Sequence, residues 1–133
     1  MKYLLDTCVI SDFVKGEKNT IHKIKETCPN LIGISSITIM EIQYGVSLNP
    51  KFGKIINPIL HDFLTAITIL DFNENDAIQA GRIRALLKQQ GNPIGSYDFL
   101  LAATALNHQL ILVTSNMKEF NKVPDLALEN WRL

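Results

Sequence analysis

Three carboxylates occupy places in this chain where a lone acid is hard to accommodate. Asp6 closes the apolar run YLLD, Glu41 stands inside ISSITIMEIQYG, and Asp98 opens DFLLAATAL. Two carboxylates about 5 Å apart repel by roughly 3 kcal/mol at an effective dielectric of about 20. A cluster of three persists only if one acid keeps its proton or a hard cation such as Mg²⁺ or Mn²⁺ neutralises it through oxygen ligands. A site of that kind also takes a phosphate. The chemistry therefore depends on whether the fold makes the three converge.

Each acid also has an ordinary explanation. Asp6 ends a strand just before a helix and could be an N-cap, and Asp98 in a first helical turn could be a cap or dipole partner. Glu41 is harder to dismiss: Ile37 four before, Tyr44 three after and Gly45 four after stand at helical spacing from it, with Met40 one before, which predicts a buried face for the glutamate.

The elements that would position them alternate. KYLLD reads as a short buried strand and VISDFVKG as a helix ended by Gly16. Residues 20–27 form a short amphipathic helix stopped at Cys28, Pro29 and Asn30. LIGIS is the second strand, and Ser35 or Ser36 caps a helix running to Gly45. Residues 51–65 are helical with Pro58 as a break or start, and AITILDF is the third strand. Asn73 or Asn75 caps the next helix, to about Gln90, and Ser96 caps DFLLAATALNHQ. LILVT is the clearest strand, followed by one turn near MKEF and an edge strand within DLALENW. Such alternation predicts a three-layer α/β/α sandwich with a central, mostly parallel sheet, in which functional groups gather at the carboxyl ends of the strands.

Composition narrows the class. The 133 residues suit one domain, residues 1–133, and the 47% hydrophobic and 20% charged content suits a packed globular core. The formal net charge is zero, so nucleic acid would have to meet local basic patches: Lys51 and Lys54, Arg82, Arg84 and Lys88, or Lys118 and Lys122. Arg84 shares a small-residue stripe with Ala77, Ala80, Gly81 and Leu87 that would let another helix approach. Two cysteines without CxxC spacing argue against a zinc site or a disulfide scaffold, and a cytoplasmic, reduced setting is the simplest expectation. Neither a signal peptide nor a run of membrane-spanning length is evident. His22, His61 and His108 are isolated, which leaves no histidine pair for metal-free acid–base catalysis. A haloacid dehalogenase-like phosphohydrolase would need a second aspartate at position 8, where Cys8 stands, and neither GxSxG nor GxGxxG occurs.

Taken in order, LLDTCVISDFVK, ISSITIMEIQYG, GRIRALLKQQG, NPIGSYDFLLAATAL and LILVTSNMKEFNKVPDLALENW resemble the PIN-domain ribonucleases, most closely the VapC-type toxins of bacterial toxin and antitoxin pairs. The resemblance implies a PIN-like fold and a metal-dependent endoribonuclease. It implies that Asp6, Asp98 and Glu41 bind Mg²⁺ or Mn²⁺, with Thr7, Thr114 and Ser115 in support. Products with a 5′-phosphate and a 3′-hydroxyl, a homodimer and a small VapB-like antitoxin whose arginine enters the acidic site are implied as well. An RNA, with a specific transfer RNA as one candidate, is the implied substrate. Two departures stand out: Cys8 replaces the usual asparagine or serine after Thr7, and Asn116 stands where many members carry a fourth acid. Either Asn116 or Glu119 completes the site. These departures are the only support for the alternative, a catalytically silent PIN-like module that binds RNA or protein.

Overall fold

The computed structural model describes residues 1–133. Five short strands form one wholly parallel sheet: β1 (Tyr3–Leu5), β2 (Ile32–Ser35), β3 (Thr68–Leu70), β4 (Ile111–Val113) and β5 (Leu128–Glu129). Their order is β3-β2-β1-β4-β5. The chain thus builds outward from β1 on one side, then returns to add β4 on the other, pairing Leu4 with both Gly33 and Leu112. This places a topological switch between β1 and β4, where parallel α/β sheets open a crevice at their carboxyl ends.

Helices cover both faces. Successive strand residues point to opposite sides, so Leu4 enters one core and Leu5 the other. On Leu4's side, α5 (Glu74–Gln89) and α6 (Asp98–Asn107) pack through Ala80, Ile83, Leu87, Leu101 and Ala105, joined by Phe120 of the one-turn helix α7 (Met117–Phe120). On the Leu5 side, α1 (Thr7–Lys15), α2 (Lys18–Glu26) and α4 (Pro50–Ala66) contribute Val9, Ile10, Ile24, Ile56, Leu60 and Phe63, and α3 (Ser36–Leu48) packs the partly buried Ile39, Ile42 and Val46 against them. The expected three-layer sandwich is what forms.

Local chemistry explains the main boundaries. Gly16 ends α1 in the left-handed region at φ 87°, donating back to Asp12 and Phe13. Asn73 and Asp76 form a reciprocal capping box at the start of α5. Asp76 is fully buried, and Asn107 Nδ2 donates to its Oδ1 at 2.7 Å while His108 Nε2 lies 3.2 Å away. That accounts for His108 as a structural residue.

Four local expectations are corrected. Helix α3 does not stop at Gly45 but runs to Leu48, because Gly45 does not take the left-handed conformation that ends a helix. Pro58 lies inside α4 without dividing it, and Pro50 occupies the first turn, where a missing N–H costs nothing. Ser96 does not cap α6; Tyr97 holds that position and makes no side-chain capping bond. The stripe through Arg84 is split: Ala80 and Leu87 are buried, whereas Ala77, Gly81 and Arg84 are exposed and the Arg84 guanidinium lies over the Phe99 ring.

Candidate active site

Asp6 follows β1 directly. Its backbone N–H donates to Val113 of β4 at 3.0 Å, which ties it to the switch point. Its Oδ1 accepts from the Val9 N–H at 3.0 Å, capping α1, and from the Cys8 thiol at 2.9 Å. The residue is only 5% exposed. Asp6 is thus both an N-cap and a wall of the crevice.

Glu41 lies about a turn and a half into α3. Its placement corrects the buried-face expectation: Met40 and Tyr44 are 41% and 65% exposed, and the buried side chain of this helix is Thr38. The apolar residues of α3 surround the helix, so no single periodic face marks the inside. Glu41 itself is half-buried, and its Oε1 accepts from the Thr7 hydroxyl at 2.6 Å. Asp98, in the first turn of α6, is half-buried and caps nothing.

Asp6, Glu41, Asp98 and Asn116 line one open cavity of about 460 Å³, together with Thr7, Cys8 and Phe120. Thr114, fully buried, accepts from the Asn116 N–H at 3.0 Å, and Ser115 Oγ lies 3.2 Å from the Cys8 sulfur. These contacts shape the turn after β4 that presents Asn116. Glu119 is placed differently. Its Oε1 accepts from the Gly95 N–H at 2.8 Å and its Oε2 lies 2.9 Å from Lys122 Nζ, which itself donates to the Pro93 carbonyl. Both Glu119 oxygens are thereby committed to holding the loop that leads into Asp98. Asn116 faces the cavity; Glu119 braces its edge.

Cavity electrostatics follow from this packing. Burial raises the Asp6 carboxyl pKa above its ordinary 3.8, partly offset by the Cys8, Thr114 and Val9 donors. Burial also raises Asp98, and the charges of Glu119, Asp6 and Glu41 add to the effect against a smaller opposing pull from Lys122. Burial and Asp6 raise the Cys8 thiol, so it stays neutral and unreactive. Glu119 is lowered by its bonds to Lys122 and Gly95.

The donor set suits a hard divalent cation. It offers carboxylate oxygens with a surplus of negative charge at Asp98 and no histidine. No three His, Cys, Asp or Glu side chains stand together at metal-ligand spacing. Mg²⁺ needs no such cage, since it binds through one or two carboxylates and keeps several waters.

Two predictions follow from this geometry. A Cβ on Gly95 would lie 3.1 Å from Asp98 Oδ2 and 3.8 Å from Glu119 Oε1, so Gly95→Ala should displace the Asp98 carboxylate by a few tenths of an ångström. We expect about tenfold lower kcat/KM in RNA cleavage with the melting temperature nearly unchanged, since misplacement of about 1 Å costs about 100-fold. The second concerns pH. Asp6 and Asp98 bind more protons folded than unfolded between 3.8 and their raised values, so metal-free stability should fall as pH rises through that window. Glu119 acts in the opposite sense only below its ordinary 4.5. Stabilisation by Mn²⁺, which competes with these protons, should grow from mildly acid to neutral pH in thermal-shift titrations.

The PIN domain family model matches residues 3–126. The chain is a PIN-domain protein of the VapC ribonuclease family. It is 38% identical over 134 residues to "Ribonuclease VapC2" of Rickettsia felis, covering 98% of each chain. It is 33% identical over 133 residues to the "tRNA(fMet)-specific endonuclease VapC" of Salmonella typhimurium, again covering 98% of each. The solved VapBC2 complex of Rickettsia felis, bound to a DNA fragment from its promoter, superposes with a TM-score of 0.89 at 36% identity over 98% of this chain and 99% of that one.

Within this PIN domain, three charged cavity residues escaped sequence reasoning: Asp12, Lys15 and Arg132. Asp12 and Arg132 pair across 120 positions, which no local pattern reveals. None of the basic residues proposed from sequence lines the cavity.

Proposed function

We infer that this chain is an endoribonuclease toxin of a toxin and antitoxin pair, hydrolysing RNA with Mg²⁺ or Mn²⁺ at the acidic cavity. The carrying observation is the cavity itself: three carboxylates from three distant segments at the switch point of a VapC-family fold. A bound divalent cation supplies Lewis-acid activation of the scissile phosphate and a water of lowered pKa. Asp6, fixed by Val9 and Cys8, and Asp98, which has no capping duty, are the ligands we assign. Glu41 is oriented by Thr7 through one oxygen, which leaves the other to ligate or to position the attacking water. Asn116 contributes its amide at the rim. Products carry a 5′-phosphate and a 3′-hydroxyl.

A specific transfer RNA is the substrate we propose, as the name of the Salmonella relative suggests. The partner is a VapB-like antitoxin. An apolar groove of about 170 Å³, lined by Ile10, Val14, Ile42, Val46, Phe52 and Leu60, opens beside Thr7 and Glu41. It suits an apolar antitoxin segment that delivers an arginine to the carboxylates, where charge-assisted bonds would block the metal. A homodimer fits the exposed Ile78 and Leu86 of α5. Cytoplasmic residence fits an RNA substrate and two free thiols, and no helix is long and apolar enough to cross a membrane.

Mapping new 5′-phosphate ends after brief expression tests the reading. One or a few sites concentrated in a transfer RNA, absent from Asp6→Asn, are expected. Growth arrest without any new ends would overturn it.

A further inference from the structure

Two cationic side chains share the cavity with the acids. Arg132 is fixed in place: its Nε donates to Asp12 Oδ2 at 2.6 Å and its Nη2 to Oδ1 at 2.7 Å, while its backbone carbonyl accepts from Asn19 Nδ2 at 2.6 Å. Asp12 is nearly buried at 8% exposure, whereas the arginine side chain is 49% exposed. This fork uses two of the five guanidinium N–H donors and locks the plane, so three remain available on a pre-oriented group. Arg132 and Cys8 line the same cavity. Lys15, in the last turn of α1, lines the same cavity and enters none of the ion pairs of the fold.

Four carboxylates line this cavity, Asp6, Asp12, Glu41 and Asp98, and a polyanionic strand entering it meets repulsion except where cations face it. One divalent ion can engage the scissile phosphate, but it does not cover the phosphates on either side. We propose that Arg132 and Lys15 form a phosphate subsite that grips a backbone phosphate adjacent to the scissile one, a role that rests on the RNA-cleaving reading of the acidic cavity. Arg132 contributes directed hydrogen bonds from its locked plane, and Lys15 contributes charge that no carboxylate compensates. The grip is blind to base identity; it sets strand position over Asp6 and Asp98.

A purely structural Arg132, one that only staples the segment after β5 to α1, predicts different results. Cleavage of a single-stranded RNA by the wild-type protein with Mn²⁺ is measured first, then by Arg132→Gln, Arg132→Lys and Lys15→Gln. For the two glutamine variants we expect KM to rise several-fold with kcat nearly unchanged, and Arg132→Lys to recover part of the loss. Binding of a fluorescent single-stranded RNA to the Asp98→Asn protein should show log Kd varying with log salt, the slope shrinking by about 0.7 for each phosphate contact removed. Lys15→Gln carries the same readout should Arg132→Gln fail to fold. Active wild-type protein whose glutamine variants keep both KM and salt slope, even with a lowered melting temperature, overturns the subsite alone. Wild-type protein that leaves RNA intact in Mn²⁺ overturns the reading of the acidic cavity and the subsite with it.

Discussion

Asp98→Asn is expected to abolish RNA cleavage while raising the melting temperature of the metal-free protein. The substitution keeps the side-chain shape and forfeits no capping bond, because Asp98 caps nothing. It removes a charge that burial, Glu119, Asp6 and Glu41 all disfavour. Solvent screening at this half-buried position holds the gain to on the order of 1 kcal/mol or less. The activity loss should exceed the roughly 10- to 100-fold that follows when only a residue supporting a metal ligand is lost, and the thermal shift induced by Mn²⁺ should shrink with it. Stability and activity thus move in opposite directions, as expected of an acid held at a site against its electrostatic preference. Inactivity together with a lowered melting temperature would mean that Asp98 is structural.

Phe120→Ala should produce the largest loss of stability of any substitution at the cavity, about 3–5 kcal/mol. Phe120 is 1% exposed and reaches from α7 into the core formed with Leu101, Leu112 and Val123, while also lining the cavity. A domain of this size has about 5–15 kcal/mol in all, so urea midpoints should fall steeply. Because α7 also carries Glu119, whose carboxylate holds Gly95, cleavage should suffer even at temperatures where the variant remains folded. A loss below about 1 kcal/mol would show that α7 is not anchored by this ring.

The legible parts of the fold were those written in local chemistry. The β1 run ending at Asp6, the glycine at position 16 and the asparagine cap at 73 each act within a few residues, so their types and spacing suffice. The carboxylates were legible because an acid ending an apolar run needs a reason, and strand and helix alternation put Asp6 and Asp98 at one sheet edge. Glu41 was located for a reason the structure corrects: α3 is apolar around its circumference, with Met40 and Tyr44 exposed, so periodicity named a face that does not exist. Its carboxylate is held instead by the hydroxyl of Thr7, 34 residues earlier. Ser96 lost the cap position to Tyr97 because the loop from Gly91 is held at Gly95 by Glu119 of α7 and at Pro93 by Lys122 just after it, and not by helix-start chemistry. The same contacts separate Asn116 from Glu119, which spacing alone could not do. Arg132 and Asp12 meet only through the folded sheet, and no window of sequence contains both.

The proposed activity requires a cation at the acidic cavity acting on RNA. Cleavage of a transfer RNA pool by the purified protein, followed by chemical typing of the new ends with Mn²⁺ or with excess chelator, tests this most directly. Ends bearing 5′-phosphates that appear with Mn²⁺ and disappear with chelator are the predicted result. Undiminished cleavage in chelator, or ends bearing 2′,3′-cyclic phosphates, would contradict it.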